Sequence, residues 1–314
     1  MKVLLTGAFG NIGMSTLHEL LRQGHEVRCF VSRRKVHTRT ARQFAGKIEL
    51  IQGDIRQPAD VVKAVRDRDV IIHLAYMLPP YSEEQPHLAH AINIGGTRNL
   101  LVAARHLPEP PRFFFSSSFD VFGYTQDQLP PRRVTDPVQA TDHYSTHKIA
   151  CEEMVKTSGL QWSIFRFADV PPLGLRSPHP IMFEIPLSTR FEVIHTYDAG
   201  LAIANGISCQ EAWGRTLLIG GGPSCQVLYR DYLGRMLEMM GIGMLPESAF
   251  GSQPYCTDWL DTEESQRLLH YQRYSFDDIM RQLTRIAGYK RYLTRMVRPA
   301  ARWWILRMSP YYHH

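Results

Sequence analysis

The sequence predicts an α/β fold, a doubly wound parallel sheet carrying a smaller C-terminal part. Three observations predict it. Short, almost wholly apolar runs alternate with longer segments of helical spacing, the pattern of βαβ units. A glycine-rich turn, Gly7 to Gly13, joins the first apolar run to the first helical segment. The chain has 314 residues, 44% of them hydrophobic, enough for a sheet buried on both faces. Disordered chains and small disulfide scaffolds are thereby excluded.

In chain order, strands are predicted over residues 2–6, 26–31, 48–52, 70–74, 112–116, 161–166 and 216–219. Helices are predicted over 12–22, 58–65, 92–105 and 144–156, with helical spacing returning over 230–240 and 261–286. After Val170 the alternation weakens, and Pro171, Pro172, Pro178, Pro180 and Pro186 punctuate a segment of loops and caps. The expected division is therefore 1–169 as a dinucleotide-binding part, with 190–220 returning to it. Residues 170–189 and 221–288 form a substrate-binding part, and 289–314 a basic amphipathic tail.

The net charge is +6, from 36 Lys and Arg against 30 Asp and Glu. Arg281, Arg285, Lys290, Arg291, Arg295, Arg298, Arg302 and Arg307 exceed that surplus, and no acid accompanies them. The body is near neutral and only the tail is basic. Pro299 divides the tail into two short helices, with Arg291, Arg295, Arg298 and Arg302 as a stripe. Two readings stay open: a tail packed on its own body or a neighbouring subunit with its arginines in solvent, or peripheral membrane contact. Nucleic-acid binding is not expected, because no binding motif accompanies the charge. The cysteines, Cys29, Cys151, Cys209, Cys225 and Cys256, are odd in number and scattered, so they read as reduced, with no metal site. The first strand leaves no room for a signal peptide, and a cytoplasmic location is expected. His313 and His314 are set aside as a possible tag remnant.

The turn Thr6-Gly7-Ala8-Phe9-Gly10-Asn11-Ile12-Gly13 suits a dinucleotide. Gly7 allows the tight turn, Gly10 a close backbone approach to pyrophosphate, and Gly13 tight helix packing, with phosphates on free N–H groups. After the second strand, Arg33, Arg34 and Lys35 stand where an acid would select NAD, so NADP is preferred over NAD; a solvated basic loop is the plainer alternative. Tyr144 and Lys148 lie four residues apart on one helical face, a phenol beside an ammonium that favours its phenolate. Ser116, Ser117 and Ser118 end an apolar strand where a third hydroxyl would be needed.

With TGAFGNIG, Asp54-Ile55, His73-Leu74-Ala75, Asn93 in an N-x-x-G-T stretch, SSSFDVFG, YSTHK and His195-Thr196-Tyr197-Asp198, residues 1–285 resemble extended short-chain dehydrogenases/reductases of the NAD-dependent epimerase/dehydratase type. The resemblance implies a Rossmann-type fold and an oxidoreductase. Ser118 would be the catalytic hydroxyl and Tyr144 the acid/base, while Lys148 holds the nicotinamide ribose and lowers the Tyr144 pKa. It also implies adenine contacts from Asp54 and Ile55, and cofactor contacts from Leu74, Ala75, Tyr76, Asn93, Ser116 and Phe167, with Asn93 serving at least as a helix support. A homodimer through the Asn93 and Tyr144 helices follows from the same resemblance.

Two departures narrow the reaction. Phe119 and Asp120 replace the Asp-Glu pair of sugar-nucleotide dehydratases, which disfavours dehydration. The segment before His195 is short, with Phe191 in the place of a diphosphate-binding arginine and Arg190 beside it; Arg190 or Arg176 is either a diphosphate ligand or an ordinary surface arginine. Leu173, Leu175, Ile181, Met182, Phe183 and Ile185 suggest a smaller or more apolar substrate. Met77, Leu78, Tyr81 and Phe119 form its wall or fill the core. The expected substrate contacts are Met77, Phe119, Asp120 and Met182. The leading expectation is hydride transfer between NADP(H) and a carbonyl or secondary alcohol. A nucleotide-sugar epimerase with bound NAD and a non-catalytic NADP-binding sensor or scaffold are the alternatives.

Overall fold

A computed structural model describes residues 1–174 and 178–312, and of residues 35–37 the backbone alone. Leu175, Arg176, the Lys35 side chain, His313 and His314 lie outside the described residues.

Seven strands form one parallel sheet in the order β3-β2-β1-β4-β5-β6-β8. They are β1 (Lys2–Thr6), β2 (Glu26–Val31), β3 (Ile48–Gln52), β4 (Val70–His73), β5 (Arg112–Ser118), β6 (Trp162–Phe167) and β8 (Arg215–Ile219). Alternate residues of each strand enter opposite cores. Val3, Leu5, Ile72, Phe114 and Phe165 join one with helix Thr196–Ser208, and Leu4, Ile71, Phe113, Phe115 and Ile164 join the other. The apolar runs seen in the sequence are therefore strands covered on both faces. The order reverses between β1 and β4, which opens a crevice at the carboxyl ends of the strands.

Apart from those two cores, of which the one with helix Thr196–Ser208 is the main core, a separate C-terminal second core holds Phe183, Phe191, Tyr229, Leu233, Leu237, Phe276, Ile279 and Leu283, beside an antiparallel pair, β7 (Arg190–Glu192) and β9 (Gln226–Leu228). Neither three-residue strand was expected from the sequence. The stretch 261–286, where helical spacing was expected, holds two helices, Glu263–Leu269 and Phe276–Ala287. His270 takes the left-handed conformation at φ 48°, and the buried Asp198 carboxylate accepts the N–H groups of Arg273 and Tyr274, so the chain breaks between them. The segment 92–95 is not α-helical but a π-turn, Ala91–Gly95, before helix Gly96–Arg105.

The tail forms helices Lys290–Met296 and Arg298–Leu306, with Pro299 in the first turn of the second. Ile305 and Leu306 are buried in the second core, docking the tail on the body. Its arginines do not all face solvent as the packed-tail reading expects. Arg298 donates to the Ile242 carbonyl at 2.8 Å, and Arg302 to the carbonyls of Gly243 and Met244 at 3.1 and 2.5 Å. Among the described residues no helix is long and apolar enough to cross a membrane, and no group of His, Cys, Asp and Glu is placed to hold a metal.

Candidate active site

Gly7, at φ +69°, turns the chain so tightly at the end of β1 that a Cβ would lie 2.8 Å from the Ala75 nitrogen. A Cβ on Gly13 would lie 2.0 Å from the Gly7 carbonyl oxygen. Helix Asn11–Arg22 begins at Gly10 with no side-chain cap, so its first N–H groups have no protein acceptor from that source. A backbone cradle of this kind, opening on the crevice beside β4, fits a pyrophosphate. Asn11 is turned to the Val170 carbonyl at 2.8 Å, tying the turn to the chain after β6. Phe9 stacks toward Phe44, 6.5 Å between centroids, and Ile12 packs against the main core. Leu74 and Ala75 donate their N–H groups to the Thr6 hydroxyl at 3.2 and 3.1 Å, which holds them against the cradle.

Past β2, Arg33 and Arg34 are both exposed, and Arg33 reaches the Asp60 carboxylate at 3.1 Å. Asp54 chelates Arg56, whose guanidinium bonds hold the Asp54 carboxyl below the ordinary range, while Asn99 donates to the Ile55 carbonyl. The Asp54–Ile55 turn is thus built from its own neighbours.

Ser118 ends β5, and Tyr144 and Lys148 lie on helix His143–Lys156, all three buried. Asp142 and Ser145 form a reciprocal cap at that helix start, and Glu83 accepts the N–H groups of His143 and Tyr144, both at 3.1 Å. Lys148 donates to the Ser116 carbonyl at 2.6 Å and sits 3.7 Å above the Tyr76 ring. Burial pulls Lys148 down to about 8. Its ammonium lies 5.5 Å from the Tyr144 ring centre and does not make the phenol acidic: burial, then the nearby Asp120 carboxyl, raises Tyr144 above its ordinary value. Desolvation of the phenol thus outweighs the lowering expected from Lys148, and the net shift of Tyr144 is upward. The Ser118 hydroxyl donates to Asp120 at 3.0 Å, and burial pushes the Asp120 carboxyl up to about 7.

The remaining expected residues divide. The Asn93 amide is fully buried and takes both backbone groups of Met77, at 2.8 and 3.1 Å; it braces the loop after β4 instead of meeting a ligand. Phe167 is buried in the main core beside Phe165, 6.2 Å between rings. Phe119 packs against the main core and Met182 against the second, where its carbonyl accepts the Tyr229 hydroxyl. Arg190 is no free anion ligand. Its guanidinium grips Asp258 at 2.6 and 2.9 Å and the Gln128 carbonyl at 2.9 Å, and Phe191 is a core residue against Tyr232.

Several site residues had no part in the sequence reading. Glu152, one turn beyond Lys148, accepts Arg166 at 2.9 and 2.8 Å and the Ser117 hydroxyl at 2.6 Å, pinning the tyrosine helix to β5 and β6. The i, i+4, i+8 spacing of Tyr144, Lys148 and Glu152 was a usable signal for it. Tyr255 and Cys256 come to Tyr144 and Asp120 from the C-terminal part, and burial pushes the Cys256 thiol up to about 12. No local pattern marks them or Glu83.

A model of the NAD-dependent epimerase/dehydratase family matches residues 3–170. D-erythronate dehydrogenase of Haemophilus influenzae is 28% identical over 158 residues, 49% of either chain. UDP-glucose 4-epimerase of Lactobacillus helveticus is 29% identical over 177 residues, 54% of this chain and 52% of that one. The chain thus matches about half the length of these relatives. In fold it is similar to UDP-glucose 4-epimerase of Stenotrophomonas maltophila, solved with NAD and formylated UDP-arabinopyranose. That likeness has a TM-score of 0.74 at 20% identity over 94% of this chain and 99% of the other. With the family model covering more than half of its residues, the chain belongs to the NAD-dependent epimerase/dehydratase family.

Proposed function

We propose that the chain is an NADP(H)-dependent oxidoreductase interconverting a carbonyl and a secondary alcohol, with Tyr144 as the acid/base. The carrying observation is the convergence of Ser118, Tyr144 and Lys148, all buried, at the sheet end beside the glycine cradle. Gly7, Gly10 and Gly13 would hold the pyrophosphate, Arg33 and Arg34 the 2′-phosphate, and Lys148 the nicotinamide ribose. When bound, the nicotinamide supplies or accepts the hydride. Tyr144 passes its phenolic proton to the carbonyl oxygen during reduction and retrieves it during oxidation. The Ser118 hydroxyl, turned from Asp120, would donate to the same oxygen and orient it.

An apolar substrate is supported by Leu78 and Tyr81, exposed after β4 at the start of the short helix Tyr81–Glu84, which Glu83 ties to the start of the tyrosine helix. A nucleotide-sugar reading is weakened by Arg190, whose donors are committed to Asp258. A cytoplasmic setting is part of the proposal, resting on the odd number and scattered spacing of the cysteines. Homodimerisation through the Gly96–Arg105 and His143–Lys156 helices is part of the proposal, read out by light scattering.

Replacing Tyr144 with Phe tests the reading. With NADPH and a panel of apolar ketones and aldehydes, turnover should fall by roughly 10²–10⁴ while cofactor affinity stays unchanged. Wild-type turnover on UDP-sugars but on no simple carbonyl would establish the epimerase instead. Absence of turnover on both, with intact NADP binding, would establish a sensor.

A further inference from the structure

The first tail helix inverts the usual arrangement of an amphipathic helix. Tyr289, Tyr292, Leu293 and Met296 follow i, i+3, i+4, i+7 spacing and so share one face, yet all four are exposed, Met296 at 81% and Tyr289 at 71%. No residue of helix Lys290–Met296 is buried. Trp303 and Trp304 follow on the second tail helix, each 54% exposed, while Ile305 and Leu306 beside them fix that helix to the second core. The tail is therefore a docked platform that turns aromatic and aliphatic side chains outward. Around them stand Arg285, Lys290, Arg295 and Arg307, all exposed, and the last acid of the chain is Asp278. The second helix also borders a cleft of about 380 Å³ lined by Arg298, Pro299, Arg302, Trp303, Leu306 and Tyr312.

We propose that this face is an interfacial anchor for an anionic phospholipid surface. Trp and Tyr favour the headgroup level, where an apolar ring and a polar edge are both satisfied, and arginines around them meet lipid phosphates. The helices, of 7 and 9 residues, are far too short to span a bilayer of about 30 Å at about 1.5 Å per residue, so the face lies in the interface plane. A second copy of the chain is a poor occupant. An isologous contact through this face would set its exposed cations, Lys290, Arg295 and Arg307, against their own copies. A nucleic acid would leave the aliphatic Leu293 and Met296 without a partner. The anchor goes beyond the proposed reaction and stands independently of it.

Co-sedimentation of the full chain with vesicles tests the proposal. The chain should bind phosphatidylcholine vesicles containing about a third phosphatidylglycerol, and bind pure phosphatidylcholine far more weakly. Replacing Lys290, Arg295 and Arg307 with Gln should weaken binding roughly hundredfold. The pair Trp303→Ala and Trp304→Ala should weaken it roughly tenfold or more. Raising salt to about 0.5 M should mimic the charge variant. Thermal unfolding and NADP binding, measured alongside, should match the wild type and show that the variants are folded. Absence of sedimentation with anionic vesicles, or equal binding to neutral ones, overturns the proposal. So does conversion of a dimer to a monomer by the same substitutions without change in vesicle binding, which would assign the face to a second copy.

Discussion

Glu152→Gln tests the reasoning about what holds the tyrosine helix. Glu152 is 2% exposed and Arg166 4% exposed, and the carboxylate satisfies both guanidinium donors and the Ser117 hydroxyl. Lys156 also approaches at 3.5 Å, but it is partly solvated and contributes little. The amide keeps the shape and removes the charge, leaving Arg166 buried without its counter-ion. Breaking a buried pair in this way costs about 3–5 kcal/mol, a factor of roughly 10²–10³·⁵ in the folding equilibrium. Urea unfolding followed by circular dichroism reads it as a lower midpoint at an unchanged slope. The pH dependence carries a second signature. Burial opposes the Glu152 charge, but the Arg166 and Ser117 bonds outweigh it and leave the carboxyl below its ordinary value. Its contribution is then complete above the unfolded-state value of about 4.3 and is lost as pH falls through the lower folded value, so wild type and variant converge in acid. Replacing both partners, Glu152→Leu with Arg166→Met, removes the stranded charge and should recover most of the loss. A loss below about 1 kcal/mol, or a double variant weaker than the single one, would refute the account.

Three further outcomes follow from the site. Gly13→Ala places a methyl group 2.0 Å from the Gly7 carbonyl oxygen, so the cradle must open; thermal stability should fall, and NADP should no longer bind at concentrations that saturate the wild type, measured by cofactor fluorescence. Arg34→Ala should weaken NADP by roughly 10–100-fold, the worth of one charge-assisted bond, and leave NAD unchanged; an equal loss for both cofactors would remove Arg34 from the 2′-phosphate. Burial raises the Asp120 carboxyl to about 7, so folding favours its protonated form, and stability is lost as pH rises from the unfolded value of about 3.9 and is fully lost above about 7. Asp120→Asn should remove that decline, and a scanning-fluorimetry profile unchanged by the substitution would count against it.

Legibility tracked how local each cause is. The seven parallel strands were readable because strands covered on both faces are mostly apolar runs, whatever their partners. Strands β7 and β9 have three residues each and no periodicity to detect. The 261–286 stretch showed helical spacing without marking the break after His270. Its break depends on Asp198, far away in sequence, capturing two backbone N–H groups. Tyr144 and Lys148 were visible as a pair on one face, whereas the target of the Lys148 ammonium was not, since the Ser116 carbonyl carries no sequence signal. Arg190 shows the converse: a cation in a suggestive place whose buried acid, Asp258, lies 68 residues on.

The cradle and the loop after β4 are joined through a buried, directional chain of hydrogen bonds. Thr6 Oγ1 accepts from the Leu74 and Ala75 nitrogens, so its own hydrogen is left for His73 Nδ1, 2.8 Å away. Nδ1 then accepts, and the ring proton resides on Nε2, which donates to Thr97 Oγ1 at 3.0 Å. Thr97 in turn donates to the Asn93 carbonyl at 2.5 Å. Burial, with Lys148 nearby, lowers His73 to about 3, and a neutral ring is what this order requires. A protonated ring would set a second donor against the Thr6 hydrogen and break the link. Asn93 ends the chain by clasping Met77, so the loop bearing Leu78 and Tyr81 is held in register with Gly7. The glycine turn and the loop bearing Leu78 and Tyr81 are thereby fixed by one polar core, without any of its members needing to touch a ligand.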